Sequence, residues 1–389
     1  MRTSLFAYGF RAQFLLAGCA ALLLVPVWAS NLVLGTPLGS TWPPTLWHGH
    51  EMLYGFIASA IAGFLLTAVP SWTGEKGFAG WPLMMLAGIW LAARLLIASS
   101  AAWPAALVAV VDLSFLPALA LLVGLPLLRT RSRNRVLLLV LALLWLCDLV
   151  FHGALLRANL PLALHAVYVG IDLVLLMVTV VGGRIIPAFT TSALRPLGAS
   201  AAIRDRGFLT VLAVSCMALV MLADAFAAPP VLSGWIAAVA ALVQAARLLQ
   251  WGTWRTLRLP IVWVLHLSYA WLPVGLGLKA IALLSGAAVG AFWLHALTIG
   301  ALATMIVAVM SRASLGHTGR ALVVHPLTTL AYVMLTAAAL IRVFGLTAFH
   351  LNYVSVIVLA ALCWSTAFAL FVGVYAPILW KPRADGKPG

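Results

Sequence analysis

Only eight of the 389 residues are acidic and four are cysteine, and charged residues of either sign make up 8% of the chain, against about 25% in an ordinary soluble domain. A soluble globular enzyme is thereby excluded. No hydrophilic stretch is long enough to form an extramembrane domain, so any chemistry must come from side chains among or at the ends of membrane helices. Cys19, Cys147, Cys216 and Cys363 fall singly inside apolar segments. With no short-spaced pair, neither a thiolate metal site nor a disulfide framework is expected, and they read as packing residues. The net charge of +15 does not gather on one face or arm as nucleic acid would require.

What the chain has in abundance is apolar residues, 65% of the total. Twelve spans of about 20 residues would use about 240, and apolar windows fall near residues 12–34, 47–69, 81–101, 103–128, 136–157, 160–187, 208–228, 231–250, 260–284, 289–312, 323–345 and 350–379. The expectation is an all-α polytopic bundle of twelve transmembrane helices, a single membrane domain over 1–389 surrounded by lipid. The first window has a basic start but is longer than a signal-peptide core, so it counts as a helix. The sixth is expected to stop at Pro187, where a helix loses a backbone donor.

Orientation follows from the basic residues. With the N-terminus in the cytoplasm, all but Arg94, Arg157, Lys279 and Arg342 of the 23 Lys and Arg lie on the cytoplasmic side, Arg2 and Arg204 among them. Both termini are then cytoplasmic under the positive-inside rule, which suits a bacterial inner membrane. Trp42, Trp47, Trp72, Trp81 and Trp103 stand near helix ends, where indole prefers the headgroup layer.

Aligning polar residues reveals an internal repeat. The second window opens His50-Glu-Met-Leu-Tyr-Gly55, the sixth His165-Ala-Val-Tyr-Val-Gly170 and the tenth His295-Ala-Leu-Thr-Ile-Gly300. Their other ends match as Pro70-Ser-Trp-Thr73, Pro187-Ala-Phe-Thr190 and Leu315-Gly-His-Thr318. Three pseudo-repeats of four helices would place one such histidine on every fourth helix.

Ionisable groups inside a bilayer are costly, so each is a functional candidate unless a partner explains it. His48, His50, His152, His165, His295 and His350 collect toward the outer face, and His266, His317 and His325 toward the cytoplasm. Imidazole is the common protein ligand for haem iron and suits copper, so the outer six are the candidate metal ligands. His48 and His50 are about 200° apart on a regular helix. They either serve two centres, or one ligates while the other faces the headgroups.

The acids form a second population: Glu51, Asp112, Asp148, Asp172 and Asp224 lie in the outer half or near the midplane. Asp148 and His152 are four apart and share a face, as a carboxylate orienting a ligating imidazole would. Glu51, Asp148 and Asp172 are the candidates for that role or for proton transfer, carboxylates opening outward being a route for protons. The alternative is that the acids neutralise Arg94, Arg157, Lys279 or Arg342. At the cytoplasmic end, Ser311-Arg-Ala-Ser-Leu-Gly-His317-Thr-Gly-Arg320 would attract haem propionates, a quinol headgroup or anionic lipid, with Arg320 as the cofactor contact. A positive-inside loop also accounts for its charge.

His48-Gly-His-Glu-Met-Leu-Tyr-Gly-Phe56, Gly63-Phe-Leu-Leu-Thr-Ala-Val-Pro-Ser-Trp-Thr-Gly74, Gly182-Gly-Arg-Ile-Ile-Pro-Ala-Phe-Thr190 and Met310-Ser-Arg-Ala-Ser-Leu-Gly-His-Thr-Gly-Arg320 resemble the motifs of the NnrS family. The likeness runs effectively along the whole chain. It implies a polytopic membrane protein containing haem b and copper and linked to nitric oxide metabolism and resistance to nitrosative stress. His48, His50, His165, His295 and His317 stand on the family's motifs, with His50, His165 and His295 as candidate cofactor contacts, and the resemblance leaves open which histidine binds haem and which binds copper. Thr191-Ser-Ala193 is less polar than the family pattern. Twelve helices in threes of four with histidine on the second, sixth and tenth also look like haem-copper oxidases and nitric oxide reductases. The seventh window, 208–228, has no histidine, so their copper site is not copied. Three functions follow as expectations: reduction of nitric oxide to nitrous oxide with electrons from a donor such as quinol, non-catalytic capture of nitric oxide, or ion-coupled transport.

Overall fold

The computed structural model of the protein describes residues 4–197, 203 and 206–387; Arg2 and Arg204 lie outside them. The described residues form helices and no strands, and twelve helices are long and apolar enough to cross a membrane. They are α1 (Gly9–Leu34), α2 (Pro44–Thr73), α3 (Trp81–Ala98), α4 (Ala105–Arg129), α5 (Arg133–Leu156), α6 (Leu160–Leu194), α7 (Gly207–Ala225), α8 (Pro230–Leu249), α9 (Pro260–Ser285), α10 (Ala288–His317), α11 (Pro326–Phe344) and α12 (Tyr353–Trp380).

Each apolar window becomes one helix, with one correction at Pro187. The helix α6 continues past it to Leu194. Proline removes a single donor, the one Gly183 O would have accepted, and the helical ladder resumes beyond it, where Thr190 Oγ1 also donates to Ile186 O at 2.7 Å and Thr191 Oγ1 to Pro187 O at 2.9 Å.

Two of the histidine-led helices share a backbone irregularity. In α2 the turns over Glu51–Ile57 widen to π geometry, and in α10 those over Ala296–Ala303 do the same. The wide turns begin immediately after His50 and His295. The third, α6, has no such segment, so the backbone likeness joins α2 and α10 and leaves α6 apart.

The chain packs as two compact units. Unit one takes in the chain up to Gly170, Met310–Leu322 and the stretch from Phe368 onward; unit two is Ile171–Val309 and Val323–Ala367. In unit one, α1 and α2 approach closely at Gly63, where an added Cβ would stand 2.6 Å from the Phe14 ring. Ser59 Oγ donates to Gln13 O at 2.9 Å across the same seam. Arg11 is fully buried, its Nη1 donating to Leu379 O at 2.9 Å and Lys381 O at 2.8 Å, a cation placed on the orphan carbonyls of a helix C-terminus. The Ser311–Arg320 motif is tied down here too. Arg383 Nη1 donates to His317 O and Ala384 N to Thr318 O, both at 2.9 Å, and the Arg383 guanidinium holds the Asp385 carboxyl well below the usual carboxylate range.

In unit two, Gly300 and Gly275 admit Trp271 and Leu297 where α9 meets the wide turns of α10. His266 is buried between two threonine hydroxyls, Thr190 Oγ1 at 2.8 Å and Thr253 Oγ1 at 3.0 Å. Its two ring nitrogens are therefore engaged, one by α6 and the other by the connection between α8 and α9.

Candidate metal centre

The wide turns of α2 build one wall of a buried polar site in unit one. A π turn frees a carbonyl from the helical ladder, and the indole of Trp90 on α3 donates to Gly55 O at 3.0 Å. One turn further, Arg94 passes over α2 where Gly55 has no side chain, 3.3 Å from where a Cβ would stand. Its guanidinium donates to Glu51 Oε1 at 2.8 Å and forms a close ion pair with Asp112.

Asp112 owes its position to a break in α4. Pro117 cannot supply the N–H that would bond Leu113 O, and the helix is interrupted at Ser114. The indole of Trp145 on α5 caps the freed Leu113 O at 3.0 Å. Asp112, beside that break, turns Oδ2 to His152 Nε2 at 3.0 Å and to His50 Nε2 at 3.0 Å. From α5, Asp148 Oδ1 lies 3.1 Å from His50 Nε2 and 3.7 Å from His152 Nε2. Four groups on three helices thus converge. His50, Asp112, Asp148 and His152 are all buried, each with a ligand-capable atom within 4.8 Å of the others.

The distances pass a simple test. Atoms bound about 2.0–2.1 Å from a common metal are roughly 2.9–3.4 Å apart when adjacent; three of the four contacts, at 3.0–3.1 Å, fall in that range, and His152 to Asp148, at 3.7 Å, would have to close slightly around an ion. Charge makes the same point. Glu51, Asp112 and Asp148 against Arg94 leave two negative charges if the imidazoles are neutral, which is costly inside a bilayer and which a divalent cation cancels. Glu51 faces the other nitrogen of His50, Oε1 to Nδ1 at 3.3 Å. With the proton on Nδ1 shared with that carboxylate, the Nε2 lone pair would face inward, the arrangement that commonly supports a ligating histidine. Phe151 stacks on His50 with centroids 4.6 Å apart, and Trp42 stands edge-on to His50 and His152 at 5.0 and 5.5 Å. The Trp42 segment is pinned by Thr41 N donating to Ser100 Oγ at 3.0 Å.

The remaining candidates lie elsewhere. His48 points away from His50 and stacks on Trp28 of α1, centroids 4.1 Å apart. His165 and His295 are half-buried and His350 is exposed with φ +52; none belongs to the group of four found among the described residues. Arg320, half-buried, donates to Thr318 O at 3.3 Å. Asp172 is buried in unit two. The ion-pair alternative for the acids is met at two of the four cations: Arg94 pairs with Glu51 and Asp112, and Lys279 with Asp224, whereas Arg157 is exposed and Arg342 rests 4.7 Å over the Phe292 ring. Sequence reasoning did not join Asp112 and Arg94 to His50 and His152. The signal available was Pro117, five residues after Asp112, which marks a place where α4 must open.

No curated protein matches the sequence. A family model described as NnrS protein matches residues 4–383. That match spans nearly the whole chain, including every helix that builds the centre, and the chain belongs to the NnrS family.

Proposed function

We propose that this is a nitric-oxide-related protein of the bacterial inner membrane, both termini cytoplasmic, that holds copper on His50, His152, Asp112 and Asp148 and reduces nitric oxide to nitrous oxide. The observation that carries the reading is the buried two-histidine, two-carboxylate group in a chain of this family. A nitrogen–oxygen donor set suits Cu(II) among the divalent metals, and the two uncompensated negative charges match its charge. Copper bound there supplies one-electron chemistry. The chain's own residues do the rest. Arg94 holds Asp112 and Glu51, Glu51 keeps the His50 proton on Nδ1, and Phe151 with Trp42 excludes water. Reduction of two nitric oxide molecules consumes two electrons, from a donor of the quinol class, and two protons, giving nitrous oxide and water.

Haem b asks for a different site, an imidazole facing a flat open slot. His50 does not fit: its Nε2 is closed in by two carboxylates at 3.0 and 3.1 Å and its ring is fully buried. The family resemblance then leaves His165 and His295 as the haem candidates. One observation favours a second reading. Four protein ligands would fill the four strong equatorial positions of a copper ion, and fully ligated sites are more often structural than catalytic; nitric oxide would then be captured at haem without turnover.

Two measurements separate these. Metal analysis of purified protein is expected to show copper lost in His50→Ala and in His152→Ala and retained in His48→Ala; equal loss in all three removes the group as the site. Nitric oxide added to the reduced, anaerobic protein is expected to yield nitrous oxide faster than chelator-stripped protein. A nitrosyl absorption band without gas selects capture, and rates equal to stripped protein defeat the reductase reading.

A further inference from the structure

Unit two contains a second buried ionic group, built from three helices. Lys279 of α9 is ion-paired with Asp224 Oδ2 near the end of α7. Asp172 of α6 lies beside Asp224 within hydrogen-bonding reach, with the Lys279 charge near it but not ion-paired to it. The Lys279 ammonium also stands 4.6 Å from the Trp293 ring on α10. Asp172 and Lys279 are 3% and 2% exposed, while the Asp224 side chain is 20% exposed. Asp172 Oδ2 is buried with no hydrogen-bond partner.

An ionised carboxylate only accepts, so two carboxyl groups bond to one another only when one carries a hydrogen. The charge count requires the same. Two acids and one ammonium leave a negative charge unless one proton is held, and a leftover charge in apolar surroundings is heavily penalised. We infer that Asp172 and Asp224 share one exchangeable proton, making this group a proton-binding site of the membrane domain. The proton passes from the Asp172 carboxyl to the Asp224 carboxylate, and from Asp224 to water at its exposed edge. No electron moves, and reloading is the reverse. When loaded the group is neutral; when unloaded Asp172 and Asp224 are both ionised against Lys279 alone. This inference uses no property of the His50 group, so a protein found without metal leaves it standing.

Infrared difference spectra of the full-length protein in nanodiscs, recorded in water and in D2O, read the proton directly. Removing either acid leaves one carboxylate against the Lys279 ammonium, a neutral set that needs no proton. Asp172→Asn and Asp224→Asn are therefore each expected to lose one D2O-sensitive carboxylic-acid C=O band. Lys279→Met leaves two acids without a cation and is expected to gain one. Copper content, measured alongside, is expected to be unchanged in all three. If Asp172→Asn does not fold, Asp224→Asn and Lys279→Met report the same proton. Loss of carboxylate bands in place of the carboxylic band, or a carboxylic band unaltered in both aspartate variants, overturns the proposal.

Discussion

Replacing Arg94 by leucine is expected to cost roughly 3–5 kcal/mol of stability, the range for removing one member of a buried ion pair. The guanidinium is 8% exposed and serves two carboxylates, Glu51 and Asp112. Without it three negative charges remain in the cluster, one more than a divalent ion cancels. The loss lies in the stranded charge rather than in the net worth of the pair, so removing the charge should restore most of it. Thermal unfolding in detergent is expected to show a large fall in Tm for Arg94→Leu and substantial recovery in Arg94→Leu/Glu51→Gln, which returns the cluster to two negative charges. Arg94→Lys is expected to lie between the two, since an ammonium keeps the charge but cannot fork across two carboxylates. A single Arg94→Leu variant as stable as the native protein would mean that Glu51 and Asp112 are protonated in the folded chain, and the argument for a divalent ion would lose its charge basis.

The twelve helices were legible because the lipid demands long apolar runs, and that demand is written residue by residue. The boundaries that shifted did so for local reasons. Pro187 costs α6 one backbone hydrogen bond without ending it, and α12 begins only at Tyr353, with Asn352 Oδ1 accepting from Ser355 N at 2.8 Å. The π turns of α2 and α10 are not written in hydropathy; each contains a glycine against which a large side chain packs, Arg94 at Gly55 and Trp271 at Gly300. The site was legible only where it is local. Asp148 and His152 share a face by spacing alone, whereas Asp112 and Arg94 reach His50 across breaks and turns that hydropathy does not register. An outward histidine at a helix start looks the same in sequence whether it joins a cluster, as His50 does, or stacks on an indole, as His48 does. The acids looked interchangeable too, until packing put Asp112 and Asp148 with two histidines and Asp172 and Asp224 with a lysine.

The Gly182-Gly183-Arg184 motif gains its physical meaning from Arg247, and Gly183→Ala is expected to be the second severe lesion. Arg247 is fully buried at the last turn of α8. Its guanidinium lies directly on Gly183, where an added Cβ would overlap it. From there it donates to Thr179 O at 2.8 Å, Tyr269 Oη at 3.2 Å and Thr210 Oγ1 at 3.0 Å. These acceptors hold a buried cation with neutral groups alone, and displacing it strips several of those bonds at once. Each charged hydrogen bond is worth about 1.5–3 kcal/mol, so the loss is expected to reach about 3–5 kcal/mol, comparable to breaking a buried ion pair. Arg247→Met removes the charge and the obstruction together. Its own cost includes orphaned partners such as Thr179 O, yet once it is made the alanine methyl has room. The double variant Gly183→Ala/Arg247→Met should therefore be more stable than the sum of the single losses predicts, by a coupling of about 1–3 kcal/mol. Strict additivity in that cycle would show that Gly183 is required for something other than the passage of Arg247.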